Sequence, residues 1–212
     1  MQEGTYSNHH MLFLKSSAPL RTDDNFKNRV QEHHRKEILV YLLSNQYNCQ
    51  WFHSFLYMHL VCLGVMKKLL QLWTGGYQTS RLSGRKIVEL SEKLITMSKW
   101  VPKEFARKPR SLDELKYWKA TELREFLLYF LEPVILINIM PEDNLFHFNA
   151  INCAIRILCH PTDCFHNNKY TKDLLNEFVH IFKYLYDEET IVYNVHNLIH
   201  INEDVLMFGP LD

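Results

Sequence analysis

From Ile38 to Met66 the chain carries no Asp, Glu, Lys or Arg. A run of that length without formal charge has to be buried, either in a protein core or in a bilayer. Asn45, Gln46, Asn48, Gln50, His53 and His59 interrupt it, and hydrocarbon would leave those groups without hydrogen-bond partners. The run therefore reads as a short buried strand over residues 50–56 followed by a buried helix over 58–73, and no membrane span is expected.

Beyond that point the apolar residues keep a helical rhythm. With only 6 Gly and 7 Pro in 212 residues, tight turns are few and a helix-rich fold is favoured. Lys67 and Lys68 bring the first helix to the surface, and Thr74-Gly75-Gly76 closes it. Ile87, Leu90, Leu94 and Met97 recur three and four apart, which predicts an amphipathic helix. A basic, Pro-containing connector runs from Lys99 to Arg110. Ser111-Leu112-Asp113-Glu114 has capping-box spacing and opens a predicted helix whose stripe is Leu123, Phe126, Leu127, Phe130 and Leu131. Pro133 should end or kink that helix. Residues 144–159, charged only at Arg156, read as the central helix of a bundle. A further stripe holds Leu174, Leu175, Phe178, Ile181, Phe182 and Leu185. Short helices near 193–200 and 202–208 complete the pattern, and near 25 another helix can begin after a loop-like N-terminal stretch.

Formal charge sums to zero but is segregated. Residues 67–110 hold 11 Lys/Arg against 3 Asp/Glu, whereas 111–212 hold 7 against 16. The candidate polyanion-binding residues are Lys67, Lys68, Arg81, Arg85, Lys86, Lys99, Lys103, Arg107, Lys108 and Arg110. They suit contacts to a phosphate backbone, which supply affinity without base choice and weaken with salt. The plainer reading is a solvated face that balances the acidic half of the same chain.

The segment Tyr57-Met58-His59-Leu60-Val61-Cys62-Leu63-Gly64-Val65-Met66-Lys67-Lys68-Leu69-Leu70 resembles the block after the second catalytic Asp in DDE-type, RNase H-like transposases of the CACTA/EnSpm-like group and their transposase-domain-containing relatives. Further likeness lies in Leu20-Arg21-Thr22-Asp23, Trp100-Val101-Pro102, the run Phe105 to Leu112, Trp118 to Arg124, Tyr193 to His200 and Phe208 to Asp212. The resemblance implies a mainly α protein: a helical bundle, the transposase insertion domain, over 58–212, and a small remnant of an RNase H-like α/β domain over 1–57. It implies DNA as a partner through the basic 67–110 segment. Such transposases hold two Mg²⁺ ions on three acidic residues. The second acidic position is Leu56 here, and a hydrocarbon side chain offers no oxygen to Mg²⁺. The first would lie upstream of Met1 and the third beyond Asp212. No catalytic residue, bound metal or small-molecule substrate is therefore expected, and the chain reads as a truncated or domesticated transposase derivative with DNA association. Its alternatives are a helical interaction module acting as a homo-oligomer, and a gene fragment without a stable fold of its own.

Other clusters carry weaker signals. His196 and His200 are four apart and could chelate a metal, yet no Glu stands between them in the metalloprotease manner. Cys153, Cys159, His160, Cys164 and His166 lack the paired spacing of a zinc module. His9-His10 and His33-His34 are weaker still. Trp51, Trp73, Trp100 and Trp118 suit base stacking or core packing. Five cysteines without a secretory signal point to reduced thiols in the nucleus or cytoplasm. Gly-rich phosphate loops and nucleophile–His patterns are absent from the sequence.

Overall fold

A computed structural model describes residues Thr5–Ser7, His10–Leu12, 57–76, 80–130 and 136–211. The expected strand at 50–56, the helix near 25, Leu56, Trp51, Cys49, His9 and His33-His34 lie outside them. The protein is mainly helical. Its only described strands are β1 (Thr5–Ser7) and β2 (His10–Leu12), an antiparallel pair with Tyr6 opposite Met11.

The uncharged run enters the described region as α1 (Tyr57–Met66), a widened helix closed by i→i+5 hydrogen bonds, which continues directly into α2 (Lys67–Gly75). Tyr57, Leu60, Val61, Cys62, Val65 and Met66 are its buried positions. Widened turns are rare in proteins and are frequent at functional sites. The expected stop at Thr74-Gly75-Gly76 is present. The Gly76 N–H donates to Leu72 O at 3.0 Å, and a Cβ on Gly76 would stand 2.5 Å from that same oxygen.

The predicted amphipathic helix is α3 (Gly84–Met97), capped by the Ser83 hydroxyl, with Leu90 and Leu94 fully buried and Ile87 and Met97 packed at the edge. The helix predicted to open at Ser111 takes another form. A 3₁₀ segment (Leu112–Tyr117) ends at extended Trp118 and Lys119, and a new helix, α4 (Ala120–Glu125), begins after them. Ser111 Oγ accepts from the second amide, that of Asp113, at 3.2 Å. Glu114 does not turn back to the cap but pairs with Arg110 at 2.8 Å. The reach-back is made one element later, where the Lys119 N–H donates to Glu122 Oε2 at 2.8 Å. α4 widens into α5 (Phe126–Phe130).

The long helices α6 (Glu142–Cys159) and α8 (Asn168–Tyr186) form an antiparallel hairpin through the short α7 (Asp163–His166). α9 (Tyr193–Asn197), a 3₁₀ turn (Leu198–His200) and α10 (Ile201–Phe208) close the bundle. Asn168 donates to Asn202 O at 2.8 Å and receives the Asn202 amide at 3.2 Å. Leu211 N–H returns to Leu158 O at 3.0 Å. On α6, the side chains of Asn152 and Arg156 donate to the carbonyls of Leu127 and Leu128. Among the described residues no helix is long and apolar enough to cross a membrane.

Two expected outcomes test this packing. α1 crosses α9 so closely at Gly64 that a Cβ would lie 2.6 to 2.9 Å from three side-chain atoms of Asn194. Gly64→Ala should cost about 1–3 kcal/mol through overpacking, read by chemical denaturation, and Asn194→Ala in the same chain should recover part of the loss.

His147 supplies the second. It stacks on Phe178 (4.0 Å between ring centroids, 12° between planes) and lies edge-on to Phe182. Its Nε2 is 2.9 Å from Phe178 O, and because a carbonyl only accepts, Nε2 carries the proton. Nδ1 is then a bare, buried acceptor without a partner. Burial lowers the imidazole pKa to about 4 from 6.5, and the Phe178 carbonyl opposes this. The folded pKa lies below the unfolded one, so the unfolded chain binds the extra proton as the pH falls from 6.5 towards 4. Over that window about 3 kcal/mol of stability should be lost. His147→Phe should flatten the corresponding part of a stability-versus-pH curve while leaving the carboxylate-driven loss at lower pH.

Candidate nucleic-acid interface

A cleft of about 750 Å³ opens between α1 and the stretch 116–121, with Arg107 and Arg110 along its rim. Its cationic lining is Lys67, Arg107, Arg110, Lys116 and Lys119, and its apolar lining includes Met58, Leu63 and Trp118. The widened helix shapes one wall. In an ordinary α-helix, residues five apart diverge by about 140°, but i→i+5 closure stacks Met58 and Leu63 on one face, and Lys67 follows one turn later.

The opposite wall is braced by Arg110. Its Nε donates to Glu122 Oε1 at 2.7 Å and its Nη2 to Glu122 Oε2 at 3.1 Å. Nη1 reaches Glu114 at 2.8 Å and Nη2 also reaches Tyr117 O at 3.0 Å. These bonds, that to Glu122 first, hold the guanidinium charged above its ordinary range. Glu122 is only 4 % exposed. Arg110 is thus committed to the protein, fixing the 3₁₀ segment against α4. Trp118 is locked by the same turn, its Nε1 donating to Ser111 O at 3.3 Å and its ring meeting Phe126 edge-on.

Arg107 lies on the 99–110 connector, which is pinned where the Phe105 ring meets Tyr129 edge-to-face at 5.4 Å. The buried Glu125 is nearby. Burial pushes its carboxyl upward, Glu122 pushes further, and Arg124 and Arg107 pull back. The Lys116 ammonium sits 4.7 Å above the Tyr117 ring, and that ring is 60 % exposed.

Of the ten candidates read from sequence, three line this cleft: Lys67, Arg107 and Arg110. Lys68 is outside the cleft lining and half-buried, and burial lowers its ammonium pKa. Arg81 precedes α3, Arg85 and Lys86 lie in its first turn, and Lys99, Lys103 and Lys108 are exposed along the connector. None of these seven lines the cleft. The structure adds Lys116 and Lys119, which a charge count cut at residue 110 assigns to the acidic half. The stretch 107–119 by itself holds five cations against Asp113 and Glu114, and a shorter counting window finds it.

The remaining clusters have local roles. The His196 and His200 rings meet edge-on at 6.0 Å. His160 Nδ1 accepts from Asp163 N–H at 3.2 Å, capping α7, and Cys164 is buried beneath it. Among the described residues no group of three or more His, Cys, Asp or Glu is placed to hold a metal ion, and Cys62, Cys153, Cys159 and Cys164 form no disulfide. Trp73 and Trp118 are core residues, while Trp100 is 83 % exposed and outside the cleft.

No family model matches the chain, and neither a curated protein nor a solved structure matches it.

Breaking the brace should be costly, because the Glu122 carboxylate would stay buried with only the Lys119 amide. Arg110→Met should lower stability by about 2–3 kcal/mol, below the full penalty for a broken buried pair because Arg110 is partly exposed. A thermal melt should register this as a fall of about 5–10 °C, with Glu122→Gln losing less.

Proposed function

We propose that this protein is a transposase-derived helical module that associates with nucleic acid through its phosphates and carries out no strand transfer of its own. The likeness of residues 57–70 and of the later blocks supports the origin, with residues 58–212 as the insertion-type bundle. In that reading the N-terminal part is an RNase H-like remnant, of which the described residues offer the β1–β2 pair. Leu56, standing where the resembled family holds a metal-binding Asp, supports the lack of catalysis.

The observation that carries the binding half is the gathering of Lys67, Arg107, Lys116 and Lys119 around one cleft. Zero net charge argues against adhesion to polyanions over the whole surface, so affinity has to be local. A labelled nucleic acid titrated by fluorescence anisotropy should bind with a log Kd that rises with log salt at a slope of about 3–4, one phosphate per cation. Lys67→Gln with Lys119→Gln should reduce that slope by about two. Neutralising Arg81, Arg85 and Lys86 together should leave it unchanged. Binding that is absent at low salt, or that responds to the α3 cations instead, would overturn the assignment.

A further inference from the structure

We propose that the cleft seats an unstacked nucleotide of a single-stranded nucleic acid, its base against Tyr117 and Met58 and its flanking phosphates on Lys67, Arg107, Lys116 and Lys119. This rests on the phosphate-binding reading above and adds to it a strand preference. The argument begins with the lining. A surface that only grips the outside of a duplex meets phosphates and sugars, and it gains nothing from apolar groups between its cations. Here Met58, Leu63 and Trp118 stand among the cations. An extruded base is the part of a nucleic acid with a flat apolar face to place there, and stacking on an aromatic ring works for every base.

Shape supports the same occupant. An open cleft of about 750 Å³ has room for a group the size of a single nucleotide. The platform is also prepared in advance. Tyr117 has few rotatable bonds to immobilise, and its carbonyl is held by Arg110 at 3.0 Å. A single exposed tyrosine is ordinary on a protein surface. What singles this one out is its position in a cleft shared with four cations and a methionine that the widened helix turns inward.

The test uses the full chain, with labelled oligothymidylate and a labelled mixed-sequence duplex of equal charge, at low salt. The single strand should bind more tightly by about tenfold, the scale of one stacked base. Tyr117→Ala should remove that preference and change duplex affinity less than twofold, and Tyr117→Phe should retain it. Lys67→Gln with Lys119→Gln should weaken both ligands. Equal binding of the two, untouched by Tyr117→Ala, overturns the single-strand assignment and leaves the phosphate reading standing. Loss of both ligands together in Tyr117→Ala also overturns it, since the ring would then be supporting the wall and not a base. No binding of either ligand to the unaltered protein overturns both readings.

Discussion

Tyr186 brings a hydroxyl into the middle of the bundle, and the arrangement of three helices follows from satisfying it. Trp73 Nε1 donates to its oxygen at 3.1 Å and Asn144 Nδ2 at 3.2 Å, so the end of α8 is tied to α2 and to the start of α6. A buried hydroxyl without partners costs about 1–3 kcal/mol, so any slip between these helices is penalised by polar groups as well as by packing. Around this node the rings of Phe148, Phe178, Phe182 and His147 fill the core. Apolar contacts tolerate small shifts, whereas directional bonds from two helices to one atom do not. The node therefore fixes the direction in which α2 leaves the core. Because α1 and α2 are continuous, it also fixes the wall of the cleft.

A second constraint acts at the other wall. Glu122 is buried and takes three hydrogen bonds, two from Arg110 and one from the Lys119 amide. That arrangement explains why the chain breaks at Trp118 and Lys119 instead of running as one helix from Ser111. A continuous helix would carry Glu122 away from Arg110 and leave a carboxylate to be buried without a charge partner. Local capping preference at Ser111 is worth about 1 kcal/mol, which is less than a broken buried pair. Long-range electrostatics therefore decides the local structure. The break also sets Lys116, Tyr117 and Lys119 along the cleft beside α1.

How much of this was legible in the sequence follows from which forces are periodic. α3 and α8 were legible because burial imposes a three-and-four spacing on the order of apolar residues, Leu90 with Leu94 and Phe178 with Phe182, and α6 because residues 144–159 carry formal charge only at Arg156. The uncharged run announced a buried helix, but nothing in a string of Leu, Val, Cys and Met distinguishes an ordinary turn from a widened one. The node was invisible because Trp73 and Tyr186 are 113 residues apart and each reads as one more apolar residue. At the site, the basic block was legible as charge but not as geometry. Seven of its ten members stay outside the cleft, while Lys116 and Lys119 were hidden inside an acidic average.

The same contrast separates cations that hold the protein together from cations that remain for a ligand. Arg110 lines the cleft, yet all three of its guanidinium nitrogens are engaged within the protein. Arginine suits that task, since its fork matches a carboxylate at two points and remains charged when partly buried. The groups left to meet an anion are chiefly lysines on exposed ends, Lys116 and Lys119, with Lys67 on the helix wall and Arg107 on the connector. Lysine is a mobile point charge that can follow a phosphate without demanding one geometry. The cleft thus pairs a rigid frame of Arg110, Glu122 and Trp118 with an adaptable cationic rim. That combination suits a ligand whose charge is regular and whose sequence is immaterial, and it assigns whatever discrimination the site has to the shape of its apolar floor.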